Sequence, residues 1–491
     1  MGTKISAFPT AGTLTGNEIV LMDQGGVTST ASTTALGGIT KQTPAEAAAS
    51  ITPTNFQYLP GNVVRYNADP SGVNDSYSAF NDAITAWTHG GAVPTVPFGT
   101  YKLATTLAIP QGLQLDLGEA TVKPSGAVDA FSLSNACGVF NGTIDLTATT
   151  GRAFFADNVQ QLHLENLYLS CSSGTGIELA NCYSLRVRGV RLVGGSGMAI
   201  NCYTNIASTP VNSATFEHIA ISGFTTAGDI CVFSGTAGVW LDHWDCENNT
   251  NAAGSNDIHV LGNADAGVSQ FRITNAYFET AINEVGSSIY LGGAASTACS
   301  GISIEGCYFQ SSKKPVYVDA NVAADLRVVC NTFQSLTGGS TYAVSTIQTG
   351  YYPNCHGNSG SLADINRTWT PSPTWGGAQT GWTFTVAGRY QRVEDRMNVQ
   401  ATVTITAKGT ATGDFTLTLP ITPNSAALDN AIAVTYLANM AGLQGTQIGR
   451  CTGVGGATAY FYDNSVTASV PLTDANFSAT SELCCAGSYE L

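Results

Sequence analysis

Charged side chains are scarce in this 491-residue chain, at 11% against about 25% in an average globular protein. No run of about 20 apolar residues is long enough to cross a membrane, and the first residues lack the apolar segment of a signal peptide. The net charge of −15 argues against nucleic acid as a partner. Because 43% of the residues are hydrophobic, a disordered chain is also excluded.

Paired cysteine motifs are absent as well. The 13 cysteines are odd in number, and no CxxC or Cys/His spacing of a zinc site occurs. Several of them, such as Cys246 and Cys307, fall at positions that are otherwise apolar. We therefore expect most cysteines to be reduced core residues of a chain folded in a reducing cytoplasm, and we expect neither a metal nor another cofactor.

One eight-residue pattern recurs seven times between Leu162 and Gln334, at steps of 23 to 32 residues. Spacing in this range is typical of a solenoid. The first, third, sixth and eighth positions of the pattern form apolar columns when the copies are aligned. The copies are LHLENLYL from Leu162, LRVRGVRL from Leu185, ATFEHIAI from Ala214, VWLDHWDC from Val239, FRITNAYF from Phe271, ISIEGCYF from Ile302 and LRVVCNTF from Leu326.

Inside each copy, alternation with period two is interrupted once by a polar or glycine-containing corner, which indicates two short strands. A third strand follows in most copies, for example near Ile177 and Ile258. Coils of three strands, stacked at roughly 4.8 Å, form a right-handed parallel β-helix, and we expect about ten coils. An irregular β-sandwich is the alternative, but a sandwich has no reason to repeat its apolar columns in register.

Composition predicts three parts. Residues 1–56 are too few to bury a large core alone, and Thr43-Pro44 opens a short helix there. Residues 57–365 form the β-helix, whose end is capped by a helix from Asp75, the expected N-cap, to Trp87. Residues 366–491 alternate as hairpins and predict a C-terminal β-sandwich for trimerisation or glycan binding.

Outward positions carry the chemistry, because inward columns build the core. Glu247 and Glu279 fall in one outward column on adjacent coils, and Asp245 lies two residues before Glu247. Three neighbouring carboxylates repel one another, which raises at least one pKa. A protonated carboxylic acid beside an ionised carboxylate is the arrangement that glycoside hydrolysis uses. The alternative is that these are solvated charges on a polar face.

Side chains that can bind sugars flank these carboxylates. We expect Tyr277 and Tyr308 to offer flat ring faces, Gln310 to offer an amide, and the outward Trp240 to stack on a sugar. An eliminating lyase would need a base, and a cation or metal ion that neutralises the uronate carboxylate of the substrate. The nearby cations are Lys313, Lys314, Arg272 and Arg327, and they do not converge on one column.

A family resemblance is carried by the segment that precedes the coils. Its spacing resembles the entry segment of the pectate-lyase-like β-helix family, and its variable inner residues are typical of bacteriophage tailspikes. The matching residues are Ala68-Asp69, Gly72, Asn74-Asp75, Ala79-Phe80, Ala83-Ile84, Gly90-Gly91, Pro97 and Gly99-Thr100-Tyr101.

Both ends of the chain add to this resemblance. The start, KISAFPTAGTLTGNEIVLMDQGGVT, resembles the module by which phage tail proteins attach to the virion, and GRYQRVEDRMNVQATVTITAKGTATG resembles their C-terminal domain. The resemblance implies a homotrimeric tail protein of the virion, made in the host cytoplasm. It also implies docking to tail or adaptor proteins through residues 1–56 and recognition of a bacterial capsule or O-antigen.

The expected activity is therefore endo-glycosidic hydrolysis of that surface polysaccharide, with Glu247 and Glu279 as the catalytic pair and Asp245 tuning one of them. Two alternatives stay open: a receptor-binding adhesin or structural tail fibre without catalysis, and a polysaccharide lyase. The family places active sites either on one subunit or between subunits, so the sequence leaves this choice open.

Overall fold

The structure is a computed structural model. It describes residues 19–24, 27–32, 41–206, 209–226, 228–249, 256–279, 286–293, 299–311, 313–319, 325–335, 344–346, 354–360, 367–377, 379–393, 396–423, 430–452, 457–464 and 468–490. The chain divides into two compact units. One comprises Met1–Ala323 and Asn331–Thr349, and the other comprises Ala324–Cys330 and Gly350–Leu491.

Strands dominate the described residues. In the first unit they are β1 (Ile19–Gln24), β2 (Val27–Ser32), β3 (Ser71–Asp75), β4 (Thr100–Leu103), β5 (Leu107–Ile109), β6 (Gln114–Asp116), β7 (Thr121–Pro124), β8 (Phe131–Leu133), β9 (Gly138–Asp145), β10 (Phe154–Asp157), β11 (His163–Ser170), β12 (Ile177–Ala180), β13 (Tyr183–Gly195), β14 (Ile200–Tyr203), β15 (Val211–Phe224), β16 (Cys231–Ser234), β17 (Thr236–Glu247), β18 (Ile258–Gly262), β19 (Val268–Thr274), β20 (Tyr277–Glu279), β21 (Ser287–Gly293), β22 (Cys299–Glu305), β23 (Tyr308–Ser311), β24 (Lys314–Val318), β26 (Thr332–Ser335) and β27 (Val344–Thr346). The second unit contains β25 (Leu326–Val329), β28 (Asn354–His356), β29 (Ser359–Gly360), β30 (Arg367–Trp369), β31 (Pro373–Trp375), β32 (Gln379–Thr380), β33 (Thr383–Val393), β34 (Arg396–Ala407), β35 (Thr410–Ala411), β36 (Phe415–Thr418), β37 (Ala431–Ala438), β38 (Thr446–Thr452), β39 (Thr458–Asn464), β40 (Ser469–Pro471) and β41 (Glu482–Glu490).

The first unit is a parallel β-solenoid of about ten coils, as the apolar columns predict. One of its sheets stacks ten strands in the order β27-β24-β21-β18-β16-β14-β12-β10-β8-β5. The other carries the longer strands, among which β9, β11, β13, β15 and β17 pair in parallel, each with the next. The third strand of each coil thus lies in the ten-stranded sheet, and the two strands around the corner lie in the other.

Register places the four apolar columns inside the coils. Leu164 pairs with Val187, Val187 with Phe216, and Phe216 with Leu241, and all four side chains are fully buried. The sixth column includes Asn331, which is buried at 1% exposure. Its amide donates to the Ile304 carbonyl at 3.0 Å and accepts from the Cys307 amide at 2.8 Å, so the buried polar group is satisfied.

The corner has the same physical cause in every copy: the fifth residue of the eight-residue pattern adopts a left-handed backbone. The φ values lie between 53° and 66° for Asn166, Gly189, His218, His243, Asn275, Gly306 and Cys330. Glycine and asparagine enter this region at least cost, which explains their frequency at the corner. Asn141, at φ 54°, marks an earlier copy that begins at Cys137 and was missed because Gly142 interrupts its sixth column.

Two helices precede the coils. The predicted short helix is α1 (Pro44–Ala48), and its capping box joins Thr43 and Glu46. Glu46 is fully buried and bonds Arg65 Nε at 2.6 Å, so this ion pair links residues on both sides of the predicted boundary at residue 56. That boundary stays a prediction.

The predicted capping helix is α2 (Tyr77–Thr88), with Phe80 and Ile84 buried. The expected N-cap at Asp75 is wrong, because Ser76 occupies that position and Asp75 ends β3. The Asp75 carboxylate instead accepts from the amides of Tyr77 at 3.1 Å and Ala104 at 2.9 Å. It therefore ties the start of α2 to the first coils.

The second unit contains a mainly antiparallel sheet in the order β30-β33-β34-β41-β37-β38-β39-β36-β31, with β40 beside β39. Alternation in residues 399–405 and 415–419 predicts a hairpin between these two runs, and this prediction is wrong. β34 pairs with β33 and β41, whereas β36 pairs with β31 and β39. Trp375 and Trp382 stack at 4.2 Å in the buried core of this unit. The β-sandwich assignment for residues 366–491 stays a prediction.

All 13 cysteines are free, and most are buried, as expected. Among the residues that the structure describes, no helix is both long and apolar enough to span a membrane.

Candidate functional site

Backbone register brings the predicted catalytic residues together on the first unit. Glu247 pairs directly with Glu279, and Asp245 pairs with Tyr277. The next coil continues both columns, because Tyr277 pairs with Tyr308 and Glu279 with Gln310. Since register partners on adjacent strands lie about 4.8 Å apart, the three carboxylates share one patch after the corner.

Buried aromatic residues hold this patch in place. Phe278 and Phe309 lie between the outward residues on their strands and point inward, with their rings stacked at 4.9 Å. Phe333 continues the stack at 5.0 Å. The outward side chains therefore stand on a tightly packed layer that fixes their backbones.

Asp245 and Glu247 form a coupled carboxyl pair. Burial raises the pKa of Asp245, and so does the charge of Glu279. The pKa of Glu247 is raised by burial, by the charges of Asp245 and Glu279, and by a side-chain hydrogen bond to Asp245. Such a bond requires one carboxyl group to carry a proton, because an ionised carboxylate only accepts.

One oxygen of Asp245, Oδ1, is buried and lacks a hydrogen-bond donor among the described residues. A buried acceptor without a donor is costly, and protonation of Asp245 or a hydroxyl group of a ligand would reduce that cost. The unpartnered oxygen therefore favours a protonated carboxyl group or a bound donor at this position.

Arg191 is a member of the site that we did not predict. Together with Ser222, Asp245 and Glu247 it lines a pocket of about 160 Å³. Arg191 lies two coils before Asp245, and Ala220 is the register partner between them. Because alanine is small, the guanidinium can act across the intervening coil, and it lowers the pKa of both Asp245 and Glu247. Arg191 could have been predicted from the sequence, because it lies in the same outward column as Asp245 and only the small Ala220 separates them.

Glu279 has a different partner. The Tyr277 hydroxyl donates to Glu279 Oε2 at 2.8 Å, and this bond is the main reason that the pKa of Tyr277 rises to about 12. A phenol that stays protonated over the working pH range is a permanent donor to the carboxylate. The three acidic groups thus differ: Asp245 and Glu247 have raised pKa values, and Glu279 accepts a hydrogen bond from a phenol.

The two tyrosines stack on each other, and their role in binding sugars stays a prediction. The rings of Tyr277 and Tyr308 stack on each other at 5.4 Å and 14°, so each covers one face of the other. The Tyr308 hydroxyl donates to Gln334 Oε1 at 2.6 Å, and the Tyr277 hydroxyl lies 3.4 Å from Gln310 Oε1. Hydroxyls and amides are therefore placed beside the stacked rings along these columns.

Trp240 lies apart from this patch. It is outward and 42% exposed, but it precedes the corner at His243, whereas Asp245 and Glu247 follow it. Its indole donates to Thr274 Oγ1 at 2.8 Å, and the Arg272 guanidinium lies 5.7 Å from its ring. The strands on the two sides of the corner face different directions, so the structure does not group Trp240 with the carboxylates.

Three of the cations weighed for a lyase are engaged elsewhere. Lys313 forms a fully buried pair with Asp257 at 2.8 Å, Arg272 pairs with Glu305, and Lys314 lies 4.2 Å from the Tyr317 ring. Among the described residues, no group of three or more His, Cys, Asp or Glu side chains is placed to hold a metal ion.

No protein-family model and no curated protein sequence matches this chain. Several solved structures are similar to it. The Dettilon tailspike protein is 12% identical with a TM-score of 0.43, over 86% of this chain and 92% of that one. The Acinetobacter phage vB_ApiP_P1 tailspike protein is 11% identical with a TM-score of 0.39, over 87% of each chain. The Streptococcus pneumoniae surface adhesin PfbA is 13% identical with a TM-score of 0.44, over 58% of this chain and 81% of that one.

Proposed function

We propose that this chain is a phage tailspike that binds a bacterial surface polysaccharide, a capsule or an O-antigen, and hydrolyses it during adsorption. One observation carries the hydrolytic part: Asp245 and Glu247 line one pocket, both have raised pKa values, and Glu247 pairs in register with Glu279 on the next coil. The resemblance of residues 68–101 and of both chain ends to phage tail proteins supports the rest.

The carboxyl groups divide the acid and base roles. Glu247 keeps its proton to a higher pH than an ordinary glutamic acid and donates it to the leaving glycosidic oxygen. Glu279, held by the Tyr277 hydroxyl, accepts a proton from the attacking water. Asp245 accepts the hydrogen bond of Glu247 and keeps its proton in place. We expect inversion of the anomeric carbon, because repelling parallel side chains diverge and leave room for water.

Glutamine variants test this assignment. Glu247→Gln and Glu279→Gln should each lower the rate of polysaccharide cleavage roughly a hundredfold or more. Both should still bind the polymer, because glutamine keeps the shape and the hydrogen-bonding capacity. The matched control is Glu305→Gln, whose residue is outward on a neighbouring coil but precedes the corner. Full cleavage by both site variants would remove this pair and favour a site between subunits.

Elimination from a uronic acid polymer is the second candidate, and Arg191 favours it. A guanidinium in the pocket can neutralise a uronate carboxylate, which elimination requires. The products separate the two reactions, because elimination leaves an unsaturated sugar that absorbs ultraviolet light, whereas hydrolysis adds a water. Retained binding without any product from the wild-type protein would instead identify a non-catalytic adhesin.

The remaining parts of the proposal concern assembly. Residues 1–56 attach the protein to the phage tail or to an adaptor protein, the functional form is a homotrimer, and residues 366–491 trimerise it or bind glycan. The protein would then be a component of the virion. The composition shift of residues 1–56 and the resemblance of both ends support these assignments.

A further inference from the structure

A second, larger cavity lies outside the first coils of the same unit. Its volume is about 690 Å³, within the range of sites that bind small molecules. Its lining is mixed rather than purely acidic, and it includes amides, a hydroxyl, an aromatic ring and exposed backbone. The residues that matter here are Asp116, Glu119, Asn141, Thr143, Asn166 and Tyr168.

An insertion in one coil produces this cavity. Asp116 pairs with Phe140 and Thr121 with Thr143, so four residues follow Asp116 where only two follow Phe140. The extra residues adopt left-handed conformations at Gly118 (φ 54°) and Glu119 (φ 67°). This conformation is strained for glutamate and places its backbone outside the regular coil.

The neighbouring coil is adapted to the insertion. A Cβ atom on Gly142 would lie 2.5 Å from Leu117 Cβ, so glycine is required there. Leu117 is fully buried and occupies space that belongs to the sixth column in other coils. Leu117 thus fills the core beside Gly142, and the cavity lies on the outer side of this coil.

A ladder of amides forms one wall of the cavity. Asn166 Nδ2 donates to Asn141 Oδ1 at 3.2 Å, and Asn141 Nδ2 donates to Asp116 Oδ1 at 3.2 Å. The Gly118 amide also donates to Asp116 Oδ1, at 2.9 Å. Because these bonds fix the polar groups before any ligand arrives, a ligand would bind without paying for their ordering.

The cavity is aligned with the carboxylate pocket. One outward column runs through Thr143, Tyr168, Arg191, Ala220 and Asp245 as successive register partners. The first two line the large cavity, and the last three line the pocket beside Glu247. Four steps of roughly 4.8 Å separate their ends by about 19 Å, a span that an extended oligosaccharide can cover.

The charges that line the large cavity and the carboxylate pocket indicate which class of glycan can bind along this column. Asp116 and Glu119 line the cavity, and neither forms an ion pair with a described cation. Three more carboxylates lie at the other end, and Arg191 is the one cation among the residues that line the two recesses. Such a surface repels uronate and sulfate groups, whereas hydroxyl groups can donate to its oxygens and accept from its amides.

We propose that the large cavity is a distal subsite that holds a neutral, hydroxyl-rich segment of the polysaccharide cleaved near Asp245. The inference rests on the proposed function and adds a substrate class to it. It also opposes the reading of Arg191 as a uronate anchor.

An array of neutral and uronate- or sulfate-bearing oligosaccharides of equal length, taken from bacterial capsules and O-antigens, tests the proposal with the full chain. Glu247→Gln serves as the background, so that cleavage does not remove the ligand. Binding should be confined to neutral members. In that background, Glu119→Gln and Tyr168→Ala should each weaken binding about tenfold. Glu305→Gln and Tyr317→Ala, outside both recesses, should leave it unchanged.

The outcomes are distinct. Binding confined to uronate-bearing members, or neutral binding unaffected by Glu119→Gln and Tyr168→Ala, overturns the distal subsite while hydrolysis at Glu247 and Glu279 can stand. Weakened binding together with full cleavage by Glu247→Gln and by Glu279→Gln keeps the subsite and removes Glu247 and Glu279 as the catalytic pair. Absence of binding to every member overturns both. Unfolding temperatures equal to that of the Glu247→Gln background show that a loss does not come from misfolding.

Discussion

Charged neighbours of both signs act on Glu247, so substitutions at these neighbours should change its pKa in either direction. Burial is the largest cause of its raised pKa, and Asp245 and Glu279 add to the effect, whereas Arg191 opposes it. The two charged neighbours can be removed one at a time without changing the backbone. The pH dependence of cleavage is therefore a direct report on the pair.

We expect Asp245→Asn and Arg191→Met to shift the alkaline limb of the pH–rate profile in opposite directions. A general acid works while it is protonated, so cleavage falls as pH rises through the pKa of Glu247. Removing the negative charge of Asp245 lowers that pKa and moves the limb to lower pH. Removing the positive charge of Arg191 raises that pKa and moves the limb to higher pH. Shifts in the same direction would show that Glu247 is not the group that titrates.

At the scale of the element, the corner explains how the coil turns. Asn275 stands at φ 54°, and its amide donates to Asp242 Oδ1 at 2.9 Å. The same Asp242 oxygen accepts from Thr274 Oγ1 at 2.6 Å, which ties adjacent coils together. The corner therefore combines a backbone requirement with a side-chain contact.

Two variants separate these contributions. Asn275→Ala and Asn275→Gly both remove the amide, but only alanine carries a Cβ atom into the left-handed region. We expect the alanine variant to be less stable than the glycine variant by about 1 kcal/mol. Denaturant unfolding monitored by circular dichroism measures the difference. Equal midpoints, or a more stable alanine variant, would show that the left-handed backbone at residue 275 does not favour glycine over alanine.

At the scale of the whole molecule, the stacked columns make the solenoid depend on an unbroken core. Ile273 and Ile304 are register partners at 0% exposure. Introducing aspartate at either site buries an unpaired charge, which costs several kcal/mol. We expect Ile273→Asp and Ile304→Asp to abolish folding, seen as loss of the cooperative thermal transition. Outward Arg272→Asp, one residue before Ile273, is the control and should melt as a folded protein.

Assembly is tested by mass and by truncation. Light scattering at micromolar concentration should give the mass of a trimer, and a monomer mass would refute the trimer. Deleting everything after Asp364 should weaken association more than it changes the circular dichroism of the coils.

A protein starting near Phe56 should still bind the host surface, because residues 1–56 serve attachment to the tail. A folded truncation that lost all surface binding would contradict this division.

The sequence by itself determined the coil. Period-two alternation decides which side chains face inward, and repetition of the same alternation decides which residues become partners on adjacent coils. The pairing of Glu247 with Glu279 and the continuation to Gln310 were therefore predictable from the repeat alone. Asn166 and Gly189 at the corner were readable for the same local reason, since few residues tolerate a left-handed backbone.

Only the tertiary structure decided what the outward side chains do. Alternation assigns a side chain to a face but not to a rotamer, so the stacking of Tyr277 on Tyr308 and the bond from Tyr277 to Glu279 were not visible in the sequence. Arg191 acts on Asp245 because Ala220 leaves space across a coil. The large cavity exists because Gly118 and Glu119 lengthen one coil opposite Gly142. Each of these depends on the sizes and directions of side chains far apart in the chain, which a local repeat does not encode.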